Sequence, residues 1–191
     1  ASDKAENARI LEQRTNFYRQ FVKEGDVCFD VGANVGNRVQ PLLNIGAKVV
    51  AVEPQESCYT ILKEKFGNTI SIVTKGLGAQ EDKQTLYIAN ASTISSFSKD
   101  WIDSVKDDRF KDYNWNKTEE IEMTTLEKLI QEYSLPAFIK IDVEGYELEV
   151  LKGLESAIDT ISFEYVVPEQ TERAINCVER IVEIHPDTVF N

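Results

Sequence analysis

The sequence predicts an α/β fold with a mostly parallel, twisted sheet and helices on both faces. Short apolar, β-prone runs alternate with amphipathic segments from residue 27 to residue 184. Repeated strand–helix units of this kind make right-handed crossovers, which place helices on either side of a parallel sheet. The sequence contains no internal repeat, linker or low-complexity tract. We therefore expect one domain over residues 1–191, with an N-terminal helix within residues 1–24 and an insertion at residues 90–118.

Each predicted element depends on its own local pattern. Apolar residues three or four positions apart predict helices, and β-branched or alternating runs predict strands. Glycine ends the first three helices, at Gly25, Gly46 and Gly67, and Pro136 follows the fourth. The predicted helices are 3–23, 37–46, 55–66, 125–133, 146–157 and 169–184, and the predicted strands are 27–31, 48–53, 70–75, 84–89, 119–124, 137–142 and 160–167. Residues 187–191 are long enough for one more short strand.

The composition limits the possible partners. The chain has 191 residues, 42% of them hydrophobic, and a net charge of −12 without any basic block. A nucleic-acid partner is not expected, because phosphate neutralisation requires clustered Lys and Arg. Cys28, Cys58 and Cys177 are scattered and are typical of small core residues in a reduced protein. No signal peptide or apolar run of membrane-spanning length is present, so we expect a soluble, cytoplasmic chain without a membrane partner.

The first informative motif is the segment 27–36, Val-Cys-Phe-Asp-Val-Gly-Ala-Asn-Val-Gly. It has the order of a strand, a glycine turn and a helix start, which brings bare backbone N–H groups close to a ligand. Gly32 and Gly36 suit such a turn because a Cβ atom there would block the turn or the ligand. We call residues 32–36 the glycine turn. A βαβ unit without any ligand is the alternative.

The spacing of this motif favours one class of cofactor. A dinucleotide fingerprint reads G-x-G-x-x-G, but Asn34 occupies the position of the middle glycine, where a pyrophosphate would lie. Asp30 would repel phosphate and could pair with an ammonium group. Glu53 follows the second strand, about 20 positions after Gly32, where an acid suits the hydroxyl groups of a ribose. A ligand with a ribose, an ammonium group and no phosphate is S-adenosylmethionine.

A second motif spans residues 138–147, Phe-Ile-Lys-Ile-Asp-Val-Glu-Gly-Tyr-Glu. In open α/β sheets, ligands bind beyond the carboxyl ends of the strands. Asp142 and Glu144 are therefore expected to face the same crevice as Asp30 and Glu53. The alternative for Glu144 and Glu147 is charge compensation at the start of the following helix.

Together these motifs resemble the FkbM-type family of S-adenosylmethionine-dependent methyltransferases. The matching segments are Asp-Val-Gly-Ala-Asn-Val-Gly, Val-Glu-Pro after the second strand, and Ile-Lys-Ile-Asp-Val-Glu-Gly-Tyr-Glu followed by Val-Leu-Lys-Gly. The resemblance implies a Rossmann-like class I methyltransferase fold that acts on a hydroxyl oxygen of a sugar or small metabolite. It implies cofactor contacts from Asp30, Gly32, Asn34, Gly36, Asn37, Glu53, Pro54, Gly76, Leu77 and Gly78, with the turn around Gly76–Gly78 at the adenine edge. Such folds end in an antiparallel hairpin, which is shortened here.

The resemblance also implies that Asp142 and Glu144 face the reacting methyl group. The only histidine, His185, lies near the end of the chain and is not expected at the strand ends. The general base is therefore a carboxylate, a tuned Lys140, or a metal-bound alkoxide. Asp142 with Glu144 or Glu164 could hold Mg²⁺ through oxygen ligands, although no dedicated metal ligand is assigned.

The insertion is polar, rich in hydroxyl groups and dotted with aromatic residues. Long loops at the ligand-binding face of a sheet are typical lids or substrate walls, and aromatic rings beside hydroxyl groups suit a sugar. Local packing of the aromatic residues is the alternative. The sequence thus predicts an S-adenosylmethionine-dependent methyltransferase with a carbohydrate or small-molecule acceptor. An NAD(P)-linked oxidoreductase and a non-catalytic module that retains the fold are the competing hypotheses.

Overall fold

The computed structural model describes residues 2–167 and 169–191. Its helices are α1 (Ser2–Tyr18), α2 (Val39–Leu43), α3 (Glu56–Phe66), α4 (Lys99–Val105), α5 (Leu126–Tyr133), α6 (Glu147–Lys152) and α7 (Thr171–Ile184). Its strands are β1 (Val27–Val31), β2 (Lys48–Val52), β3 (Ser71–Val73), β4 (Gly76–Leu77), β5 (Lys83–Ile88), β6 (Lys117–Thr124), β7 (Phe138–Ile141) and β8 (Thr160–Phe163). Short 3₁₀ turns cover Gly67–Thr69 and Ser92–Ile94.

The main sheet has five strands in the order β3-β2-β1-β7-β8 and is flanked by helices. β1 pairs in parallel with β2 from Val27 opposite Lys48 to Val31 opposite Val52. The strand order reverses between β1 and β7, where chain order jumps from the first strand to the seventh. In open α/β sheets this is the place where ligands bind. The predicted α/β, Rossmann-like fold is confirmed.

A second sheet has three strands in the order β4-β6-β5. β5 runs antiparallel to β6, and β4 runs parallel to it. The predicted turn at Gly76–Gly78 is wrong in its first two residues, because Gly76 and Leu77 form β4. Gly76 makes this pairing possible, since a Cβ atom there would lie 2.5 Å from the sulfur of Met123 on β6.

The chain divides into two compact units. The first consists of residues up to Thr74, Tyr133–Lys140 and Ile158–Ser162. Its core contains Tyr18 from α1, Leu42 from α2, Leu62 from α3 and Phe138 from β7. The second unit consists of Lys75–Glu132, Ile141–Ala157 and Phe163–Asn191.

Several predicted helices are shorter than expected. α1 ends at Tyr18 because the chain then tightens into turns, with Phe21 N–H donating to the Tyr18 carbonyl at 2.9 Å. α2 has only five residues, so the helix-terminus contribution that the sequence predicts beside the glycine turn is small. α6 stops at Gly153, since a side chain there would overlap the carbonyl of Gly78.

The end of the chain and the insertion also differ from expectation. Residues 187–191 contain a turn and coil, so the short strand predicted there is wrong. All of them but Thr188 are exposed. Within the insertion, α4 was not predicted. Its start is signalled by Ser98, whose hydroxyl accepts a hydrogen bond from Trp101 N–H at 3.1 Å.

Among the described residues, no helix combines the length and the apolar character that a membrane span requires.

The buried cysteines yield the first testable prediction. Burial raises the pKa of both Cys28 and Cys177 to about 12, and Cys58 is buried as well. Because the thiolate is the reactive form, we expect none of the three to react promptly with a disulfide reagent in the native protein at about pH 8. The same reagent should titrate all three in guanidinium chloride. A native thiol that reacts as fast as a free cysteine would contradict the buried positions.

Candidate functional site

The glycine turn lies in the first unit, between β1 and α2. Gly32 N–H and Ala33 N–H both donate to the carbonyl of Val52 at the end of β2, each at 3.0 Å. Gly32, Asn34 and Gly36 have φ values of 76°, 47° and 84°. Three left-handed residues in five bend the chain sharply, and two of them are glycines because a side chain is disfavoured in that region.

Glu53 follows β2 and joins it to the glycine turn. Its side chain is 3% exposed. One carboxylate oxygen accepts a hydrogen bond from Asn34 N–H and the other from Gln55 N–H, both at 2.8 Å. Burial raises the pKa of Glu53, while these two hydrogen bonds oppose the shift. The side chain of Gln55 also hydrogen-bonds to this carboxylate. Because a carboxylate has about four acceptor positions, capacity remains for a hydrogen bond from a ligand hydroxyl.

Asp30 and Lys140 form a buried ion pair between the neighbouring strands β1 and β7. Lys140 Nζ lies 3.3 Å from Asp30 Oδ1, and these side chains are 12% and 0% exposed. The ammonium group also donates to the carbonyl of Gly32 at 3.2 Å. The structure thus brings together two residues that the sequence predicted for different tasks, cofactor binding and catalysis. Their contact holds the start of the glycine turn against β7.

Gly36, Asn37 and Pro54 are the remaining residues of the first unit that the sequence predicts to bind the cofactor. A Cβ atom at Gly36 would lie 2.5 Å from the ring of Phe66 and 2.9 Å from Leu62, so this glycine lets α3 pack on the turn. The carbonyl of Asn37 accepts a hydrogen bond from Arg14 at 3.3 Å. Pro54 is half-buried between β2 and α3. Their contacts with a cofactor stay predictions.

In the second unit, Asp142, Glu144 and Glu164 bring their carboxylates together. One oxygen from each lies within 4.8 Å of the others; Asp142 and Glu144 are half-buried, and Glu164 is exposed. Carboxylates at this separation repel one another, so a proton or a cation nearby is favoured. Oxygen ligands of this type suit Mg²⁺, but acidic side chains often cluster without an ion, and the grouping alone does not identify a metal site.

The acidic loop, residues 142–145, is held by side chains that the sequence did not indicate as functional. Glu147 accepts hydrogen bonds from Val143 N–H at 3.1 Å and from Gly145 N–H at 3.2 Å. Glu147 is 6% exposed, and burial raises the pKa of its carboxyl group. The Ser96 hydroxyl donates to the carbonyl of Glu144 at 2.6 Å. Glu147 therefore holds the backbone donors of the acidic loop, whereas the alternative predicted for it was charge compensation at the start of α6.

Gly76, Leu77 and Gly78, predicted at the adenine edge of the cofactor, lie in the second unit. Besides Met123, a Cβ atom at Gly76 would lie 2.8 Å from the ring of Phe97, and one at Gly78 would be 3.8 Å from the ring of Tyr146. Close packing thus explains why glycine occupies position 76. A role of these residues in cofactor binding stays a prediction.

The aromatic and apolar residues of the insertion pack together in a hydrophobic cluster that also includes Tyr87 and Ala89. Trp101, Ile102 and Val105 of α4 are buried together with Ile94, and Phe110 and Trp115 pack against them. The predicted alternative of local aromatic packing describes these residues.

His185 was not expected at the strand ends because of its position near the end of the chain. It is exposed at the end of α7.

A family model and a curated relative both belong to the methyltransferases. A model of the methyltransferase FkbM domain matches residues 30–187. The hexuronic acid methyltransferase AglP of Haloferax volcanii is 26% identical over 149 residues, which cover 74% of this chain. The chain spans 55% of the length of that relative.

Two solved structures share low similarity with the chain. The precorrin-6Y C5,15-methyltransferase of Geobacter metallireducens has a TM-score of 0.46 and 11% identity, over 94% of this chain and 70% of its own. A probable oxidoreductase of Mycobacterium abscessus has a TM-score of 0.37 and 11% identity, over 87% and 45%.

The ion pair yields a stability prediction. Lys140→Met should reduce the free energy of unfolding by about 3–5 kcal/mol, because the carboxylate of Asp30 stays buried without this ammonium. Lys65→Met is the matched control, since Lys65 also donates to a carbonyl of the glycine turn, that of Val35, but from an exposed position. Its effect should be within about 1 kcal/mol. Urea unfolding measures both.

The double variant Asp30→Leu, Lys140→Met separates charge from shape. It should recover a large part of the lost stability, because the carboxylate of Asp30 and the ammonium group of Lys140 are then both replaced by apolar groups. A double variant that is less stable than Lys140→Met alone would contradict this explanation.

The packing of Gly36 can be tested against a glycine of equal backbone conformation. Gly25 has a φ of 87°, and a Cβ atom there would meet nothing within 4 Å. Gly25→Ala should therefore cost only the left-handed conformation, about 1–2 kcal/mol. Gly36→Ala should cost a further 1–3 kcal/mol or so, since its methyl group overlaps Phe66. Equal losses in thermal or urea unfolding would show that α3 does not pack on the turn as described.

Proposed function

The chain belongs to the FkbM methyltransferase family, and from this premise we propose that it is an S-adenosylmethionine-dependent O-methyltransferase acting on a hydroxyl group of a sugar or another small metabolite. The observation that carries the proposal is the way Glu53 and the glycine turn are held together in the first unit. The carboxylate of Glu53 is fixed by Asn34 N–H and Gln55 N–H and keeps acceptor capacity.

The residues present fit the proposed cofactor. A carboxylate at the end of β2 can accept a hydrogen bond from a ribose hydroxyl, and the glycine turn presents backbone close to the end of β1. S-adenosylmethionine supplies a methyl group already activated on a sulfonium. Asn34, with a φ of 47°, occupies the position at which a dinucleotide fingerprint has its middle glycine, which disfavours NAD.

The proposed class of acceptor is based on similarity to a relative that methylates a hexuronic acid. AglP is a hexuronic acid methyltransferase, and its similarity to this chain supports a carbohydrate acceptor. Because the chain spans 55% of that relative, the acceptor class is a proposal for this chain.

We assign the general base to Asp142, with Glu144 as a contact to the acceptor. A hydroxyl nucleophile must lose its proton, and a positioned carboxylate can accept it. Lys140 is less suited to this task, since its ammonium group donates to Gly32 and pairs with Asp30. Lys140 therefore supports the cofactor-binding turn instead of acting as the base.

Calorimetry with S-adenosylhomocysteine tests the cofactor. The wild-type protein should bind it, and Glu53→Ala should weaken binding by roughly ten- to a hundredfold. The reason is that losing a charge-assisted hydrogen bond costs ~1.5–3 kcal/mol of binding free energy. Glu56→Ala, an exposed acid in the first turn of α3, should bind like the wild type. Titration with NADH is the second arm. Binding of NADH in place of S-adenosylhomocysteine would support an oxidoreductase, and binding of neither would support a non-catalytic module.

Methyl transfer to a panel of neutral methyl hexosides and methyl hexuronosides tests the chemistry. On an acceptor found in this way, Asp142→Asn should lower turnover by about 10²-fold or more and leave S-adenosylhomocysteine affinity within a few-fold, since only the base is lost. Glu155→Gln, an exposed acid after α6, is the control with unchanged turnover. Near-wild-type turnover in Asp142→Asn would refute the assignment. Activity that is lost in EDTA and restored by Mg²⁺ would make Asp142 a metal ligand instead.

A further inference from the structure

Arg173 occupies an unfavourable position in its own helix. It is the third residue of α7, in the first turn, where the partial positive charge of a helix end disfavours a cation. Its side chain is nevertheless only 36% exposed. A cation in such a place must be stabilised by contacts outside the helix.

Those contacts join two other segments of the second unit. One nitrogen of the guanidinium donates to the carbonyl of Gly145 at 2.7 Å and to the hydroxyl of Ser98 at 3.0 Å. Asp100 lies 3.9 Å from its other terminal nitrogen. Hydrogen bonds from a charged donor are stronger than neutral ones. Arg173 therefore links the acidic loop to Ser98, the residue that caps α4.

The acidic loop needs such support because of its backbone. Glu144 and Gly145 are consecutive left-handed residues, with φ values of 54° and 86°. Glutamate is disfavoured in this conformation, so the loop keeps it only where the surroundings hold it. The carbonyl groups of these two residues are the ones that accept hydrogen bonds from Ser96 and Arg173.

We propose that Arg173 is a positioning residue that fixes the acidic loop and thereby the carboxylates of Asp142 and Glu144. This inference rests on the proposed function, in which these carboxylates serve the acceptor. Arg173 acts through the carbonyl of Gly145, while Glu147 fixes the N–H groups of the same loop from within α6. The loop is thus held on both its donors and its acceptors.

The test compares Arg173→Met with Arg180→Met. Arg180 lies on the same helix and also donates to two backbone carbonyls, those of Leu151 at 3.3 Å and Leu154 at 2.7 Å, but not to the acidic loop. In Arg173→Met we expect turnover to fall roughly 10- to 100-fold, the cost of misplacing a reacting group by about 1 Å, with S-adenosylhomocysteine affinity unchanged. Arg180→Met should keep wild-type turnover. A purely structural role would give the two variants equal effects.

Hydrogen exchange supplies a readout that needs no acceptor. The amides of Val143 and Gly145 should exchange at least about tenfold faster in Arg173→Met and at the wild-type rate in Arg180→Met, because only the first variant releases the loop. Arg173→Lys keeps the charge but offers a compact donor group, so it should give intermediate turnover and exchange. It also carries the test if Arg173→Met does not fold.

The outcomes separate the two proposals. If Asp142→Asn leaves turnover unchanged, the proposed role of the acidic loop fails, whatever Arg173 does. If Asp142→Asn lowers turnover while Arg173→Met changes neither turnover nor amide exchange, the positioning role of Arg173 is overturned and the proposed function stands. Faster exchange in Arg173→Met and Arg180→Met alike would overturn it as well, since the effect would then be one of general stability.

Discussion

The first unit depends on the ion pair between Asp30 and Lys140. A carboxylate with 0% exposure in the middle of a sheet is costly unless a cation lies beside it, and the ammonium group on the neighbouring strand is 3.3 Å away. The same ammonium group holds the carbonyl of Gly32. Lys140 thus pairs with the buried charge of β1 and also fixes the residue at which the glycine turn begins.

The two candidate regions share a way of holding strained backbone. In the glycine turn, Asn34 is left-handed and its N–H donates to a buried carboxylate, that of Glu53. In the acidic loop, Glu144 is left-handed, and the N–H groups on either side of it donate to the buried carboxylate of Glu147. Each loop follows a strand and is fixed by a buried acid from later in the chain, Glu53 after β2 and Glu147 at the start of α6. Glu53 and Glu147 therefore satisfy backbone donors, whereas the buried Asp30 pairs with Lys140.

Much of the fold could be predicted from the sequence because most helices and strands are signalled by residues within the element itself. The strand–helix alternation, β1, β2, α3 and α7 follow from hydrophobic periodicity and from glycine stops within each segment. The pairing of Asp30 with Lys140 could not be predicted in this way, since it depends on the placement of β7 beside β1. Likewise, β4 depends on its pairing with β6, and the short α6 depends on the approach of the Gly78 backbone to Gly153.

In the candidate site, the positions of the acids and glycines could be predicted from sequence motifs, whereas Ser96 and Arg173 belong to no motif. For α4, the serine cap and the apolar spacing of Trp101, Ile102 and Val105 were a signal that could have been used.

The packing of Trp101 on Gly145 has a consequence for how this chain can change during evolution. A Cβ atom at position 145 would overlap the indole of Trp101, so the two positions share one volume. A larger residue at 145 requires a smaller one at 101, and the two substitutions must arise together or in a permissive order. An insertion taken from a relative would therefore fit this chain only if its residue at position 101 leaves room for the acidic loop at position 145. The sequences of the insertion and of the acidic loop are for this reason expected to diverge as a coupled pair among homologues.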